Sequence, residues 1–309
     1  MTTPFNILIN KRAGTVLAMG ENAIEAAIHT AGLPVAETVF AEPGQIHAEL
    51  ERLARLDAPL LVGGGDGTIR DCAEILGRLK KGFGVLPFGT MNLLATDLGI
   101  TSLSQALKAY ATGTREVVMD AGFVNGNLFL CCASIGTMPH ASVFREKHRL
   151  VNKVVLIPQL FLFVLRHFKM HSRDRFALEI DGRMMKVQTP AIVISANRFA
   201  DSQKLTESNF KRTAIDGNEL AAYVFVAHSH ATHIRFMWRL IFGHWLKDPD
   251  LTETVGRKIR LWSRHHRPLI SIDGEVTKLS SPLEFTLKPG WVHVLVPADA
   301  AGSVPKGHE

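Results

Sequence analysis

Apolar residues recur in two rhythms along this chain, and the change falls near Gly122. Over the first 121 residues, short apolar runs at 5–9, 34–40, 60–62 and 83–86 alternate with segments at 21–29, 45–56 and 69–79. In those segments apolar positions return every three or four residues. The runs predict strands and the segments predict helices. Their alternation predicts a parallel sheet with helices on both faces. Beyond residue 121 the runs are short and alternate residue by residue, at 121–124, 128–132, 176–180, 184–187, 191–195 and 220–226. Asn125-Gly126 and Asp181-Gly182 separate neighbours among them, as hairpin turns do. A helical excursion is expected at about 148–170, an aromatic and basic helix at 231–246, and a closing hairpin at 283–296 around Pro289-Gly290.

The pattern divides the chain into an α/β domain with a parallel sheet over residues 1–121 and a β-rich antiparallel domain over 122–295. The tail, 296–309, is expected to pack back on the first domain. Ligands of parallel α/β sheets gather at the carboxyl ends of the strands. Asn10, the loop from Gly63 to Thr68, and Pro87-Phe88-Gly89-Thr90-Met91-Asn92 all follow predicted strands, so they are expected to wall one pocket.

The central loop carries the strongest local signal. In Gly63-Gly64-Gly65-Asp66-Gly67-Thr68 an apolar run enters four glycines and leaves into a helical pattern. Such a turn aims backbone N–H groups outward at a helix N-terminus, which attracts phosphate. Glycine lets an anion approach without a Cβ in the way. Thr68 can cap the helix or bond a phosphate oxygen. No G-x-x-x-x-G-K-[ST] or G-x-G-x-x-G accompanies this loop, so it is neither a Walker loop nor a dinucleotide fingerprint. An acid inside an anion-binding loop implies a metal ion or an attacking hydroxyl beside Asp66.

Composition narrows the class. The chain has 309 residues, 46% hydrophobic and 21% charged, enough for a substantial core and unlike a disordered chain. A formal net charge of +6 suits nucleotide phosphate, nucleic acid or an anionic membrane without choosing among them. Three cysteines make no disulfide framework and are expected to be reduced, as in the cytosol. The start of the chain reads as no signal peptide, and the apolar run at 154–165 is interrupted by Pro158 and Gln159, too short to span a bilayer. His228, His230 and His233 lack the companions of a zinc site and read as exposed loop histidines.

Gly64-Gly65-Asp66-Gly67-Thr68 resembles the GGDGT signature of the diacylglycerol kinase catalytic-domain family, the bacterial lipid kinases related to sphingosine kinases and, more distantly, to NAD kinases. Pro87-x-Gly89-Thr90-x-Asn92, Asp216-Gly217 and Ile272-Asp273-Gly274-Glu275 are similar to the family's later motifs, in the same order. Asn10-Lys11-Arg12-Ala13-Gly14 resembles its N-P-x-S-G start, with Lys11 and Ala13 replacing the proline and serine. No glycine occurs in 198–209, where relatives often have several.

The resemblance implies a NAD-kinase-like first domain, a β-rich acceptor domain and an active site in the interdomain cleft. It implies an ATP-dependent lipid kinase that moves the γ-phosphoryl group to a lipid primary hydroxyl, most simply from ATP to diacylglycerol. Asn10, Gly14, Gly64, Gly65, Asp66, Gly67, Thr68, Thr90 and Asn92 would bind the nucleotide. Asp216 would hold Mg²⁺ by its side chain, with carbonyls of Thr213 and Asn218. Glu275 would be the base for the acceptor hydroxyl, with Asp273 beside it, and Asp66 is the competing assignment. The implied partner is a membrane lipid, with no nucleic acid. The expected location is the cytoplasm or the inner membrane face, with a basic edge on the helix at 231–246 reaching anionic lipid. Other acceptors (a sphingoid base, phosphatidylglycerol or NAD) and a catalytically inactive nucleotide- or lipid-binding protein stay open.

Overall fold

The computed structural model describes residues 3–147, 159, 162–164, 166, 174–201, 210–226, 229–241 and 244–298. The expected helix at 148–170, His228, most of the 198–209 segment and the tail beyond 298 lie mainly outside these residues. The chain forms two compact units: Met1–Ala121, Ala214–Asp216 and Pro289–Glu309 make the first, and Gly122–Thr213 and Gly217–Lys288 the second.

In the first unit, β1 (Phe5–Asn10), β2 (Val35–Ala41), β3 (Leu60–Gly64) and β4 (Phe83–Pro87) lie in the order β2-β1-β3-β4, all parallel. Beside β4 runs the end of the last strand, with Val294 opposite Phe83. The strands β3 and β4 are wholly buried, which explains why they read as continuous apolar runs. Helix α3 (Ile46–Ala54) packs with α4 (Asp66–Leu79), while α2 (Glu21–Thr30) packs with α6 (Leu103–Thr112). Two short helices, α1 (Gly14–Met19) and α5 (Leu93–Asp97), and α6 itself are additions to the sequence expectation. Register levels the strand ends: Ile9 faces Gly63, and Gly64 faces Pro87. The chain therefore leaves β1, β3 and β4 at one edge of the sheet.

The second unit is a sandwich. One sheet has the order β12-β11-β10-β7-β14-β15, from Leu251–Gly256, Leu220–Phe225, Ala191–Ala196, Cys132–Gly136, Leu269–Ile272 and Glu275–Lys278, all antiparallel. The other holds β13 (Lys258–Ser263) between the start of the last strand and β8 (Arg175–Ile180), with β9 (Arg183–Gln188) at its edge. Alternate residues of both sheets fill the core, among them Leu178, Ile194, Ala222, Leu261, Ile270 and Phe285. The strand β11 is buried on both faces, because Tyr223 and Phe225 on its other side are covered by Trp245 and by Phe236 of α8 (His230–Ile241). The Asn125-Gly126 and Asp181-Gly182 turns have φ of 46° and 83°, and 47° and 85°, the left-handed pair of a type I′ hairpin.

Three expectations change. The run at 128–132 is two strands, β6 (Asn127–Phe129) and β7, broken where Asp273 takes up backbone donors. The expected hairpin around Pro289-Gly290 is one continuous strand, β16 (Leu283–Pro297). A side-chain bond replaces turn closure there: Gly290 N–H, at φ 61°, donates to Asp120 Oδ1 at 3.1 Å. His230 and His233 sit on α8 rather than in a loop, and His233 is buried, its Nδ1 donating to Ser229 O at 2.7 Å.

The first unit's sheet depends on Tyr110 of α6. Its hydroxyl accepts from Val85 N–H at 2.9 Å and donates to Leu295 O at 3.1 Å, so it joins β4 to β16. Burial pushes this phenol far above its usual range. Tyr110→Phe leaves both backbone groups without that partner and is expected to cost about 1–3 kcal/mol. A thermal midpoint equal to the wild type would refute the strut.

Candidate active site

The glycine loop is shaped by close approach. A Cβ on Gly63 would lie 2.6 Å from the Phe88 ring, and one on Gly64 would lie 2.6 Å from Thr68 Cβ. Helix α4 starts at Asp66, with Gly65 at its N-cap and no side-chain cap. The first-turn N–H groups of a helix have no intrahelical acceptor. An uncapped start at a strand-end loop therefore presents donors and the positive helix end to an anion.

Neighbouring loops are tied to it. Asn10 Nδ2 donates to Thr68 Oγ1 at 2.8 Å, and Asn10 Oδ1 accepts from Arg12 N–H at 2.9 Å. Asp66 reaches the loop after β4: its carboxylate accepts from Asn92 N–H at 3.0 Å and Leu93 N–H at 2.6 Å. Asn92, at φ 50°, folds its own loop, donating to Gly89 O at 2.9 Å and accepting from Gly89 N–H at 2.8 Å. A Cβ on Gly89 would come within 2.7 Å of Gly65 Cα. Asn10, Gly64, Gly65, Asp66, Thr68 and Asn92 are thus joined in one network at the sheet edge. Gly67 is buried in the first turn of α4, Gly14 is the first residue of α1, and Thr90 is exposed on the joined loop.

The second unit's carboxylates have separate environments. Asp273 and Gly274, at φ 46° and 90°, make a two-residue turn that sets Ile272 opposite Glu275. Asp273 is buried, and its carboxylate accepts from the N–H groups of Leu130, Cys131 and Cys132 at 2.7, 2.9 and 3.0 Å. Such a carboxylate is an anchor. Glu275, the first residue of β15, is exposed. Arg212 was not legible as a site residue. It is 1% exposed and donates to Leu130 O at 2.6 Å, so it holds the segment that Asp273 holds. A lone arginine after a lysine carries no signal of burial.

Asp216 and Asn218 are exposed on their turn, and Asn218 has φ 54°. Ile215 O accepts from Asp120 N–H at 2.8 Å, and Thr213 N–H donates to Arg198 O at 2.8 Å. Among the described residues no three His, Cys, Asp or Glu side chains are grouped as metal ligands. One exposed carboxylate with oxygen donors on a turn suits a hard, largely hydrated cation and does not suit zinc.

Comparison with known proteins bears on this arrangement. Residues 4–122 match the model of the diacylglycerol kinase catalytic domain. This segment, somewhat over a third of the chain, is similar to that catalytic domain. A Pseudomonas aeruginosa protein named "Probable lipid kinase YegS-like" is 38% identical over 133 residues, covering 42% of this chain and 43% of the relative. A Klebsiella pneumoniae protein of the same name is 36% identical over 98 residues, 30% of this chain and 33% of that one. The matches thus span less than half the length of these curated relatives. A crystal structure of a diacylglycerol kinase from Bacillus anthracis shares the fold, with a TM-score of 0.65 at 16% identity over 96% of this chain and 98% of that one.

Asp66→Asn puts an amide where both oxygens now accept backbone N–H groups. It is expected to destabilise the chain by about 1–3 kcal/mol. Nucleotide affinity should fall with it. Calorimetric unfolding and titration with ATP check both; unchanged stability with turnover alone abolished would identify Asp66 as the base instead.

Proposed function

We propose that this protein is an ATP-dependent kinase acting on the primary hydroxyl of a lipid, with diacylglycerol the simplest acceptor. One observation carries the reading. The uncapped N-terminus of α4 lies in a glycine loop to which the β1 and β4 loops are tied by Asn10 and Asp66. A triphosphate needs such an array of donors, and phosphoryl transfer asks mainly for positioning and neutralised charge. The similarity of residues 4–122 to the diacylglycerol kinase catalytic domain and the names of the partly matching relatives support the substrate class.

In this reading, backbone donors of residues 64–68 hold the phosphates, while Asn10 keeps Thr68 turned towards its own loop. Gly14 opens α1 directly after the joined β1 loop, and Thr90 lies on the joined β4 loop. Asp216, with Thr213 and Asn218, would hold Mg²⁺, which supplies positive charge against the phosphates. Glu275 takes the proton of the lipid hydroxyl. It is preferred to Asp273, whose oxygens are occupied by three backbone donors, and to Asp66, whose oxygens bind the next loop. The resulting product, from diacylglycerol, is phosphatidic acid.

Labelled ATP offered with diacylglycerol, phosphatidylglycerol, a sphingoid base and NAD tests the substrate class. Transfer to diacylglycerol is expected. Transfer to NAD alone would overturn the lipid reading, and nucleotide binding without any transfer would favour an inactive protein. Glu275→Gln should lower turnover by roughly 10²–10⁴-fold, the contribution of a positioned base, and leave ATP affinity unchanged. Turnover equal to wild type would remove Glu275 from the chemistry.

A further inference from the structure

Helix α8 has apolar side chains on two faces. Inward, Phe236 stacks on Phe225 with ring centroids 4.0 Å apart, and Met237 is buried. Phe236 and Leu240 line an apolar cavity whose walls include Phe210, Tyr223, Phe225 and Trp245. Outward, Ile234 is 45% exposed and Trp238 52%, four residues apart and so on one stripe. Ala231, one turn earlier, is exposed too. A helix facing only water carries polar residues on that stripe.

The charges beside the stripe are sorted by depth. Arg235 bonds Asp248 at 3.0 Å and also bonds Asp250; Arg239 lies 3.5 Å from Asp248. The Asp248 side chain is 0% exposed, whereas those of Arg235 and Arg239 are 38% and 34% exposed. Carboxylates are recessed and guanidinium groups face out. An apolar ridge with a tryptophan, rimmed by outward cations, matches a helix lying at a membrane–water interface. Headgroup phosphates can meet the outward guanidinium N–H groups of that rim, and the acyl region below complements the ridge. Among the described residues no helix is long and apolar enough to cross a membrane. On the lipid-kinase reading the substrate sits in a bilayer, and α8 offers it an apolar ridge outside and an apolar cavity beneath.

We propose that α8 docks the protein on the lipid bilayer, with Ile234 and Trp238 inserted at headgroup level. The choice of a bilayer rests on the lipid-kinase reading. Because Arg235 and Arg239 are already ion-paired within the unit, insertion of the apolar pair carries most of the affinity, and raised salt weakens it only slightly.

The test uses the full chain and vesicles of phosphatidylcholine with phosphatidylglycerol. Wild type should co-sediment, and the double variant Ile234→Ser, Trp238→Ser should lose at least about tenfold in affinity, the order expected for two large apolar groups. Its thermal midpoint and ATP affinity should match wild type, since both side chains are half exposed. Trp238→Phe should keep binding but lose a lipid-induced blue shift of emission. Equal sedimentation of wild type and double variant overturns the proposal. So does a wild-type dimer that the double variant converts to monomer with vesicle binding unchanged, which assigns the ridge to a second copy. Transfer to detergent-dispersed lipid separates the two readings. Retained transfer with lost vesicle binding supports docking. Vesicle binding through these residues without transfer to any lipid removes the kinase reading and leaves the docking surface standing.

Discussion

The first unit's site depends on one carboxylate. Asp66 opens α4, yet its oxygens serve the start of α5, where Asn92 and Leu93 present N–H groups that no turn of their own helix can satisfy. Leaving buried donors unmet costs more than a made bond contributes, so the loops have strong reason to stay joined. The junction also decides which glycines are needed. With Gly89 held against Gly65, a side chain on Gly89 would strike backbone rather than a movable group. An acid in an anion-binding loop looked like a contradiction. The contradiction dissolves when that acid is spoken for by two donors of its own protein.

The second unit repeats the device. Asp273 gathers three successive N–H groups, and Arg212 takes the carbonyl of the first of those residues. A buried charge is tolerated when its hydrogen bonds are filled. The chain breaks there between β6 and β7 instead of continuing as one strand. The carboxylate two residues on, Glu275, is left at the surface. Two acids that look equivalent in Ile272-Asp273-Gly274-Glu275 are therefore unlike in kind, and only their surroundings tell them apart.

This difference marks the boundary of what was legible. Strands β1–β4 and β8–β11, helices α2, α3 and α4, and the Asn-Gly and Asp-Gly turns follow from periodicity and from residues that accept positive φ, whereas β12 and β13 were not expected. The motifs located the loops. What sequence could not carry was long-range pairing. Pro289-Gly290 has the chemistry of a turn, but Gly290 N–H is claimed by Asp120, 170 positions away, and the strand runs on. The basic edge expected on α8 likewise changes character, because Arg235 and Arg239 spend their charge on Asp248 and Asp250. His233, read as a loop residue, is buried on the helix those arginines share.

The departures at Lys11 and Ala13 can be weighed in the same terms. The loop after β1 is held by main-chain bonds. Lys11 N–H donates to Ala41 O at 3.0 Å, Ala13 N–H to Asn10 O at 3.1 Å, and Thr15 N–H to Phe88 O at 3.1 Å. None of these needs a proline ring or a serine hydroxyl. Ala13 is buried, where a hydroxyl would want a partner, and the Lys11 ammonium lies 3.1 Å from Glu21, turned to the start of α2. The loop's shape is set by its neighbours, β2 on one side and the β4 loop on the other. The two substitutions therefore weigh little towards an inactive protein, and the question of activity passes to the exposed carboxylate of Glu275 and to the acceptor it would serve.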